Sequence, residues 1–404
     1  MNQKAFRGEQ LKKARLLRGL TLTELATQTG ISKQSLSLYE NNGNRPEYER
    51  GMKIANALNV PYEFFLQEDS YSAYTETIYF RSLASAAKMS RTVQSLKLEY
   101  VAEIYEGLAE YVDFPVLNLP KIEFWGNDNE FDEQGNAAEL KEIERIAMQT
   151  RAYWNLGTDP IPNLQFALEK NGLIVTGFNT NESKIDAFSQ RTLLTTHGND
   201  RSEMFLIAVD QGTKPLGRIR FDLAHELGHV LLHPWSEGLD MIPKEEFKHR
   251  EVQANMFAGA FLMPADSFSK DVQVYPTDLK YYLWLKQKWR VSVAAMVYRS
   301  RQLGIITPNQ HQYMMRQISK NGWRKQEPDD KPYFLNENIF QGALDLLFEQ
   351  KILSPAAFMR LLSRRGINLF PADIEDVLHL RPGTLKVSDA KPQIIQLKFA
   401  PKTD

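Results

Sequence analysis

The 404-residue sequence contains no cysteine. Disulfide bonds and cysteine nucleophiles are therefore excluded, and any zinc site has to use histidine and carboxylate ligands instead of thiolates. No run of about 18 apolar residues occurs, as a membrane-spanning helix would need. The N-terminus also lacks the apolar stretch of a signal peptide. These absences predict a soluble cytoplasmic protein.

Net charge is almost absent as well, at −1, so any signal for nucleic-acid binding has to be local. Residues 1–68 hold ten Lys and Arg against seven Asp and Glu, whereas residues 99–145 hold three against thirteen. The basic segment favours an anionic partner. The acidic segment is interpreted as a solvated surface, with the alternative that it repels or mimics DNA.

Histidine is scarce, but three of the seven histidines fall within residues 225–233. The motif His225-Glu226-Leu227-Gly228-His229 lies in an apolar helical pattern, where residues four apart project from one face. Two imidazoles at this spacing can bind one zinc ion, with Glu226 as general base toward a water molecule. His233 lies about 80° further round the helix than His225, which predicts a partner or cap rather than a ligand. The simpler alternative is a core helix with buried histidines.

Two histidines leave a catalytic zinc site without its third protein ligand. A second helix predicted at residues 248–258 offers Glu251. Asn255 lies four residues later on the same face, where it can hydrogen-bond a ligand histidine. The weaker competitors for the third position are Glu245, Glu246 and His249.

The segment that precedes the motif predicts an α+β unit. Helices are expected at residues 139–154 and 163–170, and strands at 173–176, 185–189 and 204–209. An edge strand beside the motif helix can pair with a peptide backbone and present it to a metal. This context favours a peptidase over a core helix.

The motif helix and the second helix carry a family resemblance. Arg220 to His229, Glu251 to Ala258 and Leu262-Met263-Pro264 resemble the ImmA/IrrE family of zinc metallopeptidases. The resemblance implies one zinc ion per chain and a helix-turn-helix repressor as substrate, in stress response or mobile-element control. The implied zinc ligands are His225, His229 and Glu251, and the implied catalytic base is Glu226. Asp222 departs from the family, which more often has Thr or Ser there.

The N-terminal segment predicts five short helices within residues 8–66. Thr21 opens a capping box, Gly30 ends the second helix and Ser32 caps the third. Two short helices joined by a tight glycine turn form a helix-turn-helix. Residues 20–26, 30–32 and 39–41 resemble the XRE-type helix-turn-helix of phage repressors.

This second resemblance implies that the third helix enters the major groove of DNA. The implied base contacts are Lys33, Gln34 and Ser37, and the implied phosphate contacts are Ser32, Ser35 and Arg45. Leu38 replaces the polar residue that many such domains carry, so its contact would be apolar. The alternative is a helix-turn-helix reused for dimerisation or protein binding.

The predicted fold is multidomain and mainly α-helical, with an α+β zincin-like core. Its predicted parts are a helix-turn-helix at 1–68, a linker and acidic helical connector at 69–135, a metallopeptidase at 136–270, a helical subdomain at 271–325 and a helical C-terminal domain at 326–404. The 271–325 subdomain is either a second helix-turn-helix shape or a packing platform. The tail is interpreted as a dimerisation or substrate-docking element, so a homodimer is one expected assembly.

Together these features predict a DNA-binding transcriptional regulator with a zinc-dependent endopeptidase domain. The expected partners are double-stranded DNA and a repressor, either a separate protein or this chain's own N-terminal part, and no membrane. Two alternatives stay open. One is a non-proteolytic repressor whose zinc domain is a sensor, and the other is a toxin–antitoxin component.

Overall fold

The computed structural model describes residues 5–67, 74–80, 88–123, 137–178, 187–195, 201–210, 212, 214–235, 242–335 and 338–386. The acidic run at 128–133, the apolar segment at 394–397 and the start of the strand predicted at 185–189 lie outside these residues. Within the described ranges, no helix combines the length and the apolar character needed to cross a membrane.

The N-terminal region contains four α-helices followed by a short 3-10 helix. They are α1 (Gly8–Leu17), α2 (Leu22–Thr29), α3 (Lys33–Glu40), α4 (Tyr48–Leu58) and the 3-10 helix Tyr62–Leu66. The fifth predicted helix is thus a 3-10 turn, which buries Phe64 and Phe65 before the chain extends at Gln67.

Local capping signals fix the helix-turn-helix. Thr21 Oγ1 accepts a hydrogen bond from Glu24 N at 3.2 Å, and Glu24 Oε2 accepts one from Thr21 N at 2.7 Å. Gly30 ends α2 in the left-handed region, at φ +68°, where a side chain would be strained. Ser32 Oγ accepts a hydrogen bond from Ser35 N at 3.1 Å and so caps α3. The predicted caps are therefore confirmed.

A four-stranded sheet forms the centre of the molecule, in the order β1-β3-β4-β2. Its strands are β1 (Tyr74–Phe80), β2 (Ile174–Phe178), β3 (Ala187–Thr195) and β4 (Arg201–Asp210). β2 and β4 are parallel, and the other two pairs are antiparallel. The strands β2, β3 and β4 correspond to the predicted ones. β1 corrects the sequence analysis, because it lies in a stretch interpreted as a linker.

Twelve further helices complete the described chain. They are α5 (Lys88–Ala109), α6 (Ala137–Tyr153), α7 (Leu164–Lys170), α8 (Leu216–Leu232), α9 (Lys244–Leu262), α10 (Ala265–Val272), α11 (Leu279–Trp289), α12 (Val293–Gln302), α13 (Pro308–Lys320), α14 (Ile339–Glu349), α15 (Pro355–Arg364) and α16 (Pro371–Leu378). α10 and α13 are two helices that the sequence pattern did not predict individually. The mainly helical fold with a small α+β core is confirmed.

The two faces of the sheet pack against different parts of the chain. Val175, Ile207 and Val209 belong to an apolar core that also contains side chains of α6 to α13. Residues that alternate with them, such as Ile174 and Leu206, belong to a second core. The side chains of one strand thus face opposite layers, as the period of a strand requires.

The second core joins the two ends of the chain. It combines side chains of the N-terminal helices, α5, the sheet and α14 to α16. Arg18, the C-cap residue of α1, makes two hydrogen bonds to Asp373 of α16, at 2.7 and 2.9 Å. Asn368 Nδ2 donates to Gln67 Oε1 at 2.8 Å. The C-terminal helices are therefore a packing layer for the helix-turn-helix within one chain.

Candidate functional site

The start of α3 is the exposed part of the helix-turn-helix. Lys33 and Gln34 are exposed, Ser37 is half-buried, and Leu38 is 52% exposed. The predicted phosphate contacts also reach the surface: Ser32 and Arg45 are exposed and Ser35 is half-buried. Five of the six predicted DNA contacts thus lie at the N-cap or within the first five residues of α3, and Arg45 lies in the loop that follows α3.

A buried ion pair holds α3 against α1. Arg15 Nε and Nη2 donate to the two carboxylate oxygens of Glu40 at 2.6 and 3.0 Å, and Arg15 Nη1 donates to Leu20 O at 2.6 Å. Both side chains are less than a tenth exposed. A bidentate pair that is fully hydrogen-bonded fixes the angle between two helices. This pair was not recognised from the sequence.

The second candidate site lies where α8 crosses α9. His225 and His229 of α8 are buried, and Glu251 of α9 approaches both. Gly228 makes the approach possible, because a Cβ atom there would lie 3.2 Å from the Cα atom of Ala254. Among the described residues, His225, His229 and Glu251 form the one group of three side chains suited to holding a metal ion. We call these three residues the metal cluster.

Distances within the metal cluster match those expected around zinc. His225 Nε2 lies 3.0 Å from His229 Nε2, and the Glu251 carboxylate oxygens lie 3.5 and 3.1 Å from these two nitrogens. Ligand atoms at about 2.0–2.1 Å from a tetrahedral zinc ion would stand about 3.3 Å apart. The three side chains therefore need little movement to coordinate one ion.

Hydrogen bonds on the far sides of the imidazoles place their protons. His225 Nδ1 lies 3.1 Å from Asn255 Oδ1, which accepts, so His225 carries its proton on Nδ1. His233 Nε2 lies 2.9 Å from Gln253 Oε1, also an acceptor, so His233 Nδ1 is free to accept. His229 Nδ1 lies 2.9 Å from that atom and donates to it. Both cluster histidines thus keep a lone pair on Nε2.

Two imidazole lone pairs and a carboxylate therefore face one point. Such a set of donors repels itself unless a cation lies between them. Zinc binds neutral imidazole nitrogen and carboxylate oxygen, and three protein ligands are typical of its catalytic sites. The residues present thus fit one zinc ion.

A chain of hydrogen bonds continues from the metal cluster to α6. Gln253 Nε2 donates to Glu139 Oε1 at 2.7 Å, and His249 Nε2 contacts the same oxygen at 2.5 Å. Glu139 is only 4% exposed. Burial lowers the pKa of His233 well below its ordinary value, which favours the neutral imidazole. We call His233, Gln253 and Glu139 the hydrogen-bond chain.

Glu226 is held from the sheet side. Ser189 Oγ of β3 donates a hydrogen bond to Glu226 Oε2 at 2.6 Å, and both side chains are completely buried. A carboxylate with a fixed orientation beside a metal cluster is suited to take a proton from a water molecule. Ser189 is a contact of the candidate base that the sequence analysis missed.

The other candidates for the third ligand position contact other residues. Glu245 contacts Lys248, Glu246 contacts Arg250, and His249 contacts Glu139. Asp222, the departure from the family pattern, lies 3.3 Å from Lys214 Nζ, and both groups are buried. The charge of Asp222 one turn before Glu226 is thus compensated locally.

A cavity of about 430 Å³ lies near the metal cluster, between α8, α9 and α12. Its lining includes Asp222 and Asn255, which lie one turn away from Glu226 and Glu251, and Asn255 is also the hydrogen-bond partner of His225.

Several functional contacts could not be found from the sequence. Ser189, Gln253, Glu139 and Lys214 have no motif of their own, and three of them make contacts over more than 35 residues. The available signals were weak. Ser189 follows the apolar residues Ala187 and Phe188 in its strand, and Gln253 lies two residues after Glu251 in the segment that carries the family resemblance.

Fold and site together define a class of protein: a helix-turn-helix domain joined to a domain with a candidate metal site. Residues 176–301 match the family described as IrrE N-terminal-like domain, and residues 11–65 match a helix-turn-helix family. The central region is therefore similar to IrrE-like peptidase domains, and the N-terminal region is similar to XRE-type helix-turn-helix domains.

Two relatives match the N-terminal region. The HTH-type transcriptional regulator SutR of Escherichia coli (strain K12) is 40% identical over 65 residues, which are 16% of this chain and 36% of the relative. The HTH-type transcriptional regulator ImmR of Bacillus subtilis (strain 168) is 34% identical over 70 residues, which are 17% of this chain and 55% of the relative. This chain thus spans about half or less of either relative. The chain thus combines a helix-turn-helix region similar to these regulators with a region similar to the IrrE-like domain.

Proposed function

We propose that the central domain is a zinc-dependent endopeptidase that cleaves a helix-turn-helix repressor, and that the N-terminal domain brings it to DNA. One observation carries the enzymatic part. The lone pairs of His225 and His229 converge with the Glu251 carboxylate beside Glu226, which Ser189 holds in place. The metallopeptidase family of the central region supports the same function.

The proposed mechanism assigns a separate task to each side chain. Zinc, when bound, would polarise the scissile carbonyl group and make a water molecule more acidic. Glu226 takes the proton from that water and passes it to the leaving amine. Ser189 keeps the Glu226 carboxylate oriented, while Asn255 and His233 keep the cluster histidines in the tautomers that metal binding requires.

On DNA, we propose that Lys33, Gln34 and Ser37 contact base edges, since the exposed start of α3 is the part that enters the major groove in this motif. Leu38 would contact a thymine methyl group, because it is apolar and exposed. Ser32, Ser35 and Arg45 are proposed to contact phosphates, which position the domain without reading sequence.

The proposed substrate is inferred from the presence of a helix-turn-helix domain and a peptidase domain in one chain. A peptidase bound at a promoter meets repressors on neighbouring sites at a high effective concentration, so weak recognition of the substrate suffices. The similarity of the N-terminal region to two transcriptional regulators supports a role in gene control. We therefore propose a repressor as substrate rather than proteins in general.

The test combines metal analysis with cleavage. The purified chain is expected to hold one zinc ion, and Glu226→Gln is expected to keep zinc and DNA binding but to lose cleavage of the helix-turn-helix proteins encoded beside its gene. Rate losses of about 10²–10⁴ are typical when a general base is removed. Mass spectrometry of the products locates the cut.

Glu245→Gln is the matched control, because Glu245 is an exposed acid on α9 that contacts only Lys248 among the contacts seen. It should cleave like the original chain. If gene derepression survives Glu226→Gln while zinc is retained, the alternative of a non-proteolytic zinc sensor is favoured. A chain without zinc would contradict both functions.

A further inference from the structure

The strand β1 covers one edge of the central sheet. Its backbone pairs antiparallel with β3 from Phe80 opposite Phe188 to Tyr74 opposite Leu193. The pairing is continuous from Thr77 to Phe80 and shifts between Thr75 and Thr77. An irregularity of this kind disrupts the ladder locally, so the first part of β1 is held less regularly than the rest.

The strand that β1 covers is also the strand that contacts the candidate catalytic base. Tyr79 pairs with Ser189, and Ser189 donates its hydroxyl hydrogen bond to Glu226. Neighbouring strands lie about 4.8 Å apart. A chain segment paired with β3 at this position is therefore one strand spacing from the residue that holds Glu226.

β1 belongs to neither of the two matched domains. The helix-turn-helix match ends at residue 65, and the peptidase match begins at residue 176. The strand comes from the stretch between them, yet it completes the sheet of the peptidase. An extended segment that joins a foreign sheet edge by backbone pairing is a recurring mode of peptide recognition.

We propose that β1 is this chain's own occupant of the β3 edge, and that it excludes an extended substrate strand from that edge while it is paired there. The inference rests on the proposed peptidase function. It names the substrate segment as the stretch that directly follows a helix-turn-helix domain in a target repressor.

The position of β1 in the chain supports this choice of partner. The 3-10 helix that completes the helix-turn-helix ends at Leu66, and β1 begins at Tyr74. A repressor in which an extended segment follows the same domain presents the same order of structure to the sheet. The sequence of β1, Tyr-Thr-Glu-Thr-Ile-Tyr-Phe, is rich in the β-branched and aromatic residues that favour strands.

Pairing by β1 also implies competition. A substrate strand and β1 need the same backbone groups of β3, so only one can be bound at a time. Release of β1 therefore precedes binding of a substrate strand.

The experiment measures binding to the zinc-loaded, full-length Glu226→Gln protein, so that hydrolysis plays no part. The probe is a fluorescent peptide with the sequence of residues 74–80. Ile78→Pro with Tyr79→Pro removes two adjacent backbone donors from β1, whereas Ile78→Ala with Tyr79→Ala keeps both. The peptide is expected to bind the proline variant about tenfold more tightly than the alanine variant, a difference of about 1.4 kcal/mol.

Equal affinity for both variants, or no binding to either, would overturn the inference. Zinc content and DNA binding of the proline variant show that it is folded. Hydrogen exchange gives a second measurement: amides of residues 188–193 should exchange faster in the proline variant and regain protection with the peptide. Unchanged exchange in that variant would also overturn the inference. If the unsubstituted chain does not cleave a repressor but the peptide still binds the proline variant as expected, the peptidase function alone is refuted.

Discussion

The proposed DNA-binding surface and the metal cluster position their polar groups in different ways. Lys33 and Gln34 are exposed on a helix of eight residues, which begins at a local cap and is held against α1 by the Arg15–Glu40 pair. His225 and His229 are buried; Asn255 orients His225, and His233 with Gln253 orients His229. The first surface thus combines a local cap with a longer contact, whereas the metal cluster depends on contacts between separate helices.

The difference teaches how each region should respond to substitution. A side chain on the exposed surface meets water in the free protein, so its loss costs contacts with DNA but little stability. A buried polar group in a chain of hydrogen bonds leaves its partners unsatisfied when it is removed, which costs considerably more. Substitutions on the exposed surface should therefore change DNA binding, whereas substitutions in the buried region should change stability and metal binding.

The largest effect is expected at the metal cluster itself. His225→Ala removes one of three ligands, so zinc should be lost on purification and cleavage should be abolished, while DNA affinity stays the same. Metal analysis and DNA titration test this. His311→Ala, a half-buried histidine on α13, is the control and should keep its zinc. A zinc-loaded His225→Ala protein would contradict the assignment.

The next largest effect is expected in the hydrogen-bond chain. Gln253→Met keeps the size of the side chain but removes the partner of both His233 and Glu139. Zinc affinity should fall by about 10- to 100-fold, as for other groups that orient a ligand histidine. Competition with a chelator measures it. Gln165→Met, at a buried glutamine outside the site, should leave zinc affinity unchanged, and an equal loss there would indicate a general structural effect.

A smaller effect is expected at the DNA surface, where two substitutions should differ in kind. Gln34→Ala should lower discrimination between operator sequences by about 1–2 kcal/mol, because an amide contact to a base is lost. Arg45→Ala should weaken binding to every sequence equally and reduce the salt dependence by about one phosphate contact. Salt titrations on specific and random duplexes separate the two. Identical behaviour of both variants would break the assignment of base and phosphate contacts.

The smallest effect is expected at a helix cap. Ser32→Ala removes the hydrogen bond to Ser35 N and should destabilise α3 by about 1 kcal/mol. Hydrogen exchange of the α3 amides measures it. Ser354→Ala removes the equivalent cap of α15 and should affect α15 instead, since each cap acts on its own helix. Faster hydrogen exchange in α8 or α9 of either variant would contradict the independence of the helix caps and the metal cluster.

The same distinction explains which features the sequence could predict. Thr21, Gly30 and Ser32 act within four residues of their own position, so the helix-turn-helix could be derived from local chemistry. The spacing of His225 and His229 places them on one face of one helix. Glu251 required a second helix, and residues alone left other acids open until the family resemblance was considered.

Contacts between distant segments could not be predicted. Ser189 and Glu226 are separated by 37 residues, and Gln253 and Glu139 by 114. The sequence pattern within one segment does not indicate which distant segment it contacts in the fold. β1 was missed for the same reason, because a strand is defined by its partner, and its partner β3 lies more than a hundred residues further along the chain.

The shared core of the two chain ends bears on what a cut between residues 67 and 88 would achieve. Arg18 would still be bound to Asp373, and the side chains of α1 would still be packed against α5. The severed N-terminal piece would remain attached as a non-covalent subunit and would keep its hold on DNA. A nicked molecule would therefore migrate as an intact one under native conditions, and only a denaturing gel would reveal the two pieces.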